Sequence, residues 1–217
     1  MASLEDLQEN CAGKTIIIVG NSSSLLNNNN RTLIDDYDIV VRINRGYQYG
    51  RSLYSEHIGS KTNILSIGVK TANQANKIIG SNVVDYILMP IIHSENLSWS
   101  NTYHVAPDAY NILKQSLGDI KPSTGISTYN FFNRFINFAR LDLIGFDFFN
   151  TSALQRNQLG HIKVNDHDGV SESLFFESSH DPTKTIIHKL TLNNDLYLSN
   201  NIPIYSQINK NVVKNSK

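Results

Sequence analysis

Thr15-Ile16-Ile17-Ile18-Val19-Gly20 is the stretch whose reading decides the fold. It runs apolar and β-branched with no polar alternation, so it reads as a strand buried on both faces. Such strands belong to parallel sheets covered by helices on either side. Asp38–Ile43 repeats the pattern, and weaker versions stand at Asn63–Ile67, Tyr86–Met89, Asp142–Ile144 and Leu196–Leu198. Between them the spacing predicts helices over Thr71–Ile79, Pro107–Leu117, Gly125–Phe138 and Asp181–Leu190. Pro107 and Pro182 suit a first helical turn, and Asp181 suits the N-cap before Pro182. Ile186, Ile187 and Leu190 then fall on one helical face. Strands alternating with helices imply an α/β fold: a single Rossmann-like domain with a mostly parallel sheet flanked by helices. Residues 1–206 are assigned to that domain, and 207–217 to a flexible, polar, basic tail.

Lys plus Arg and Asp plus Glu both number 19, so the net charge is zero and nucleic-acid binding has no electrostatic footing. Cys11 is the one cysteine, which rules out an intramolecular disulfide and fits a reducing compartment. Met1 to Gly13 has neither the basic start nor the apolar stretch of a signal peptide. The longest apolar runs fall far short of a membrane span. The expectation is a cytoplasmic protein, at most at the inner face of the cell membrane through the tail lysines Lys210, Lys214 and Lys217.

Four stretches carry chemistry. Val19-Gly20-Asn21-Ser22-Ser23-Ser24-Leu25 follows the first strand, where open α/β sheets bind ligands. Its uncharged donors and acceptors suit ribose, base or phosphate; an ordinary strand-to-loop turn is the plain alternative. Arg42-Ile43-Asn44-Arg45 ends the second strand, and two arginines there suit an anionic partner or merely a solvated strand end. Pro122-Ser123-Thr124-Gly125 opens a helix whose free N–H groups make an anion site, or simply a capped helix. His161, His167 and His180 cluster in a polar stretch, and imidazole is the natural base for a sugar hydroxyl. Their spacings match no standard zinc pattern, so no metal cofactor is expected. Two Asp-x-Asp triplets, Asp36-Tyr37-Asp38 and Asp166-His167-Asp168, leave a metal-dependent nucleotidyl enzyme as the weakest alternative.

The order of these pieces is more telling than any one of them. Residues 15–62 read TIIIVGNSSSLLNNNNRTLIDDYDIVVRINRGYQYGRSLYSEHIGSKT. This resembles the long sialyl motif of the animal-type sialyltransferases, glycosyltransferase family 29. Pro122–Gly125, a helix, and then Leu143-Ile144-Gly145-Phe146 resemble the family's small motif, and Gly145–Phe149 is somewhat closer to the bacterial family 42 enzymes. The resemblance implies a sialyltransferase-type, GT-A-like variant of the fold. It also implies an inverting, metal-independent transferase that moves sialic acid from CMP-sialic acid to a glycan hydroxyl.

By that resemblance Asn21, Ser22 and Asn44 bind the CMP moiety. Ser123, Thr124 and Gly125 contact the donor's phosphate and carboxylate. The family's very short motif puts a catalytic histidine before a helix, which favours His180; the usual glutamate five residues on is Thr185 instead. His167 stays its rival, because Glu172 stands five residues after it. The third motif, a histidine beside aromatics, is poorly matched, so His167 is also a candidate for facing the leaving phosphate. A CMP-Kdo-dependent transferase and a non-catalytic nucleotide- or glycan-binding module remain alternatives on the same scaffold. A bacterial surface polysaccharide is the expected product, with acceptor, linkage and oligomeric state left open by the resemblance.

Overall fold

The structure, a computed structural model, describes residues 1–47, 54–68, 72, 84–91, 101–150, 154, 167–188 and 190. Thr15–Val19 is β1, with Ile16 to Val19 all buried, and it has parallel neighbours on both sides. One neighbour is β2 (Ile39–Ile43) and the other β6 (Arg140–Ile144). With β3 (Ile64–Ser66), β4 (Tyr86–Met89), β5 (Thr102–His104) and β7 (Thr185–His188) they form one sheet, ordered β5-β4-β3-β2-β1-β6-β7. Every pairing is parallel, so this is an α/β, Rossmann-like fold. The strand order reverses between β1 and β6. In open parallel sheets the ligand crevice lies outside the carboxyl ends of the strands at such a switch point.

Residues alternate between two cores as strand geometry requires. Ile16, Ile18, Val41, Leu141 and Leu143 face α1 (Leu4–Cys11), α4 (Pro107–Ser116), α5 (Thr124–Phe135) and α6 (Gly169–Ser179). Ile17, Val19, Val40 and Ile144 face the 3-10 turn Ser23–Asn27, α2 (Arg31–Asp35) and α3 (Ser55–Ile58). Cys11 belongs to the first core, and burial pushes its thiol up to about 11, so it is an inert core residue. α1, hidden in the polar N-terminus, is nucleated by a reciprocal cap. The Ser3 hydroxyl accepts from Asp6 N at 3.1 Å, and Ser3 N donates to Asp6 Oδ2 at 2.8 Å.

The helix expected over Asp181–Leu190 is corrected: Thr185–His188 is strand β7, at the edge of the sheet among the described residues. Asp181-Pro182 does start a turn, since Thr183 N donates to the Asp181 carboxylate and Thr185 N to the Asp181 carbonyl. One turn is all it makes. The β-branched run Thr185-Ile186-Ile187 then meets the open edge of β6, where Leu141 N donates to Lys184 O and pairing outweighs a marginal helix. The helix lies earlier, as α6, in the polar stretch between His167 and His180. α5 ends at Phe135, three residues short of the expected Phe138. The elements expected at Thr71–Ile79 (Ala72 apart) and Leu196–Leu198, and the tail 207–217, lie outside the described residues. Among the described residues no helix is long and apolar enough to cross a membrane.

Arg42 is also corrected. It is wholly buried in β2 and reaches no ligand edge. Its Nε donates to Lys61 O and Thr62 Oγ1, both at 3.0 Å, and its Nη2 to Ile58 O at 2.8 Å. Asp35 holds the same loop from outside, accepting from Ser60 N and Oγ and from Lys61 N. Burial lowers the Arg42 guanidinium to about 10, and the Asp35 charge works against that fall. Asp35, Arg42 and the Gly59–Thr62 loop are therefore spent largely on one another.

Removing the Arg42 head should leave three acceptors without their donor: Ile58 O, which is buried, and Lys61 O and Thr62 Oγ1, which are half-buried. Arg42→Met is expected to lower unfolding free energy by at least about 3 kcal/mol. Urea midpoints measure this, and a shift worth under about 1 kcal/mol would show that the loop does not need the clasp.

Candidate active site at the carboxyl edge of the sheet

At the carboxyl ends of β1, β2 and β3 the two motif asparagines tie one strand end to the next. Asn21 Nδ2 donates to Ile43 O at 3.0 Å. Asn44, at a positive φ of 51°, accepts from Gly68 N through Oδ1 at 2.8 Å and donates its own N–H to Ser66 O. Asn21 Oδ1 is buried with no hydrogen-bond partner among the described residues. An orphaned buried acceptor at this edge suits a donor on a ligand, such as an exocyclic amine or a sugar hydroxyl. Ser22 is spent differently. It is buried, caps the 3-10 turn by accepting from Ser24 N at 3.1 Å, and donates to Asp147 Oδ2 at 2.9 Å.

The second motif arrives at this edge as the start of α5. Thr124 stands over Gly68, where a Cβ would come within 2.6 Å of Thr124 Oγ1 and 3.6 Å of Asn44 Oδ1. Only a glycine lets the two motifs approach this closely. Ser123 is the N-cap, its Oγ accepting from Ile126 N at 3.3 Å. The first N–H groups of a helix have no partner within it, and the macrodipole adds positive potential there. Thr124 and Gly125 hold those positions in a twelve-residue helix, so the start of α5 is suited to an anion.

Ser123 itself is already engaged. Its N–H donates to Glu172 Oε1 at 2.7 Å and its hydroxyl to Glu172 Oε2 at 2.8 Å. Glu172 comes from the first turn of α6 and is 3% exposed. Burial pushes its carboxyl up to about 7; the two hydrogen bonds from Ser123 pull the other way, and the charge of Asp168 adds to the rise. Sequence reading singled out Glu172 only for its spacing from His167. Nothing in the sequence pointed to its partner, 49 residues upstream.

The clamp carries His167 with it. His167 Nδ1 lies 2.9 Å from Lys121 O. A carbonyl only accepts, so Nδ1 carries a proton, and the neutral ring held this way has its lone pair on Nε2. The ring lies parallel to Phe149, at 6° and 6.0 Å between centroids. Asp168, next in line, caps α6 by accepting from Val170 N at 3.1 Å and Ser171 Oγ at 2.7 Å.

His180 is not part of this grouping. α6 begins beside Phe148 at the carboxyl end of β6 and runs about 16 Å back toward the amino edge. His180 closes the far end of that helix, its Nδ1 donating to Phe176 O at 3.0 Å and its ring stacked on Phe176 at 4.8 Å. His161 lies outside the described residues, as does Asp166. Asp38, of the first Asp-x-Asp triplet, sits at the amino edge and accepts from Thr15 N and Oγ1. Among the described residues no group of three or more His, Cys, Asp or Glu is arranged to hold a metal ion.

Residues 3–104 match the model of glycosyltransferase family 29 (sialyltransferase). Curated proteins give no match. Solved structures share the fold, two mammalian sialyltransferase structures among them. A mammalian sialyltransferase superposes with a TM-score of 0.56 at 19% identity, over 82% of this chain and 70% of that one. A mammalian sialyltransferase in complex with Gal-beta-1-3GalNAc-ortho-nitrophenol gives 0.55 at 20%, over the same shares. At such identities the likeness speaks for the fold alone. Taken with the amino-terminal match and the parallel sheet, it makes this chain a sialyltransferase-like protein with the fold of a glycosyltransferase.

Proposed function

We propose that the chain is an inverting, metal-independent glycosyltransferase that moves sialic acid from CMP-sialic acid to a glycan hydroxyl, with His167 as its general base. The observation that carries this reading is the His167 ring itself. Its Nδ1–H is fixed on Lys121 O, two residues before the capped start of α5, and Nε2 is left to accept a proton. A base and an anion site at the start of one helix are what this chemistry requires.

The donor's anomeric carbon is tertiary and carries a carboxylate, so the transition state is oxocarbenium-like. The bond from that carbon to the phosphate oxygen breaks, and CMP leaves with the electron pair. The charge growing on the phosphate is met by the N–H groups of Thr124 and Gly125 and the Thr124 hydroxyl, already oriented by the helix. The acceptor oxygen attacks from the opposite face, inverting the centre, as its proton passes to His167 Nε2. Asn21 and Asn44 hold CMP at the ends of β1 and β2. Ser22 and Ser123 act behind them, as caps.

His167 and Glu172 also have the spacing that the family resemblance calls for. The absence of a glutamate at Thr185 therefore loses its weight as support for a non-catalytic module: Thr185 begins an edge strand.

His167→Ala should lose about two to four orders of magnitude in CMP release from CMP-sialic acid with a galactoside acceptor. It should still bind CMP, and His180→Ala should stay within about threefold of the parent. Unchanged turnover in His167→Ala would remove it from the role. CMP-Kdo, run in parallel, separates the two donors. Thr124→Val should weaken CMP affinity by about tenfold, the loss of one hydrogen bond to an anion; an unaltered affinity in calorimetry would contradict the phosphate assignment.

Glu172 makes a separate prediction. Folded, it holds its proton up to about pH 7, whereas the ordinary value is 4.5. Between those values the folded state binds more protons than the unfolded one, so stability falls as pH rises. The full difference is roughly 3 kcal/mol. Glu172→Gln should flatten that part of the stability profile when urea midpoints at about pH 5 and about pH 8 are compared; an equally steep profile would mean that another group causes it.

A further inference from the structure

The turn after β6 is built from the wrong residues for its backbone. Asn150 N donates to Asp147 O at 3.1 Å, and the two residues between them, Phe148 and Phe149, have φ of 50° and 68°. A turn with positive φ at both central positions is the kind that Asn-Gly fills with ease. Phenylalanine is a bulky outlier there, and such strain costs about 1–3 kcal/mol per residue. It persists only where the surroundings over-determine it.

Here each ring of the pair has a partner on or just before α6. Phe148 packs against Phe176 of α6, with centroids 6.3 Å apart, and Phe176 belongs to the main core. Phe149 lies parallel to His167. Between the two rings the turn backbone presses on the start of α6. A Cβ at Gly169 would collide with the Phe148 carbonyl and lie 3.2 Å from Phe149 Cδ2. No other residue type than glycine allows that approach without a shift.

We propose that the Asp147–Asn150 turn is a positioning device for His167, with Phe149 as a positioning residue whose ring holds the imidazole flat while Lys121 O holds its Nδ1–H. The reading rests on His167 as the base, and it assigns Phe149 no contact with the reacting atoms. One edge of the imidazole is held by a hydrogen bond and one face by a ring, so rotation about the side-chain bonds is restrained. Nε2 is then aimed before the acceptor arrives. Misplacing a reacting group by about 1 Å can cost about a hundredfold in rate.

Phe149→Gly separates position from stability, because glycine relieves the backbone strain while removing the ring. Its melting temperature should be unchanged or higher. kcat should fall about tenfold to a hundredfold, with KM for the donor within about twofold. Nitrogen NMR of the imidazole should show one Nδ1–H tautomer in the parent and a mixture in Phe149→Gly. Phe149→Tyr, which keeps the ring, should restore both the rate and the single tautomer. If Phe149→Gly does not fold, Phe149→Leu is read in the same way, since it keeps bulk without a flat face. Parent-like kcat and a single tautomer in the variant would overturn the device, while His167→Ala remains inactive and the base reading stands. An active His167→Ala would overturn the base instead, and the NMR spectra would still report whether Phe149 orders the ring.

Discussion

The site hangs on one buried carboxylate. Glu172 accepts both the N–H and the hydroxyl of Ser123, so the first turn of α6 and the first turn of α5 are joined across 49 residues. Two donors on two oxygens favour the ionised form, while burial opposes it, and the outcome is a group raised to about 7. A carboxylate in this position also borrows the favourable end of the α5 dipole. What the clamp fixes is the separation between an anion site and the imidazole proposed as the base.

The polar residues of the long motif mostly hold the scaffold. Arg42 and Asp35 grip the Gly59–Thr62 loop from inside and outside, and Asn21 and Asn44 cross-link strand ends. At these ends, among the described residues, Asn21 Oδ1 is left without a partner, and the start of α5 presents its first backbone N–H groups. A site made of backbone N–H groups and shared amides is rigid, because each group is held by secondary structure on at least one side.

A second polar cluster holds the β6–β7 side of the sheet. Asp142, fully buried in β6, takes hydrogen bonds from His188 Nε2 at 2.9 Å, from Arg140 and from the Tyr37 hydroxyl. Burial alone would raise its carboxyl, but the three donors outweigh it and hold the group well below the usual carboxylate range. The same arrangement pushes the Tyr37 hydroxyl up through burial and the nearby charge. The cluster ties strand β7 to β6 and to the turn before β2.

Local pattern was enough for the parallel sheet. A buried strand needs a continuous β-branched run, and Thr15–Val19 and Tyr86–Met89 were legible to the residue. The glycine and serine turns at the strand ends, and the capped start of α5, were equally local signals. Tertiary structure decided the rest. Asp181-Pro182 is a good helix start that loses to an open strand edge, and an edge exists only once β6 has folded. Arg42 reads as a ligand arm until the burial of its side chain is known. Between His167 and His180 the sequence offered two similar residues thirteen apart, and only the direction of α6 separates them. A helix carries its two ends to opposite edges of the sheet, and one-dimensional spacing holds no record of which end meets the ligand.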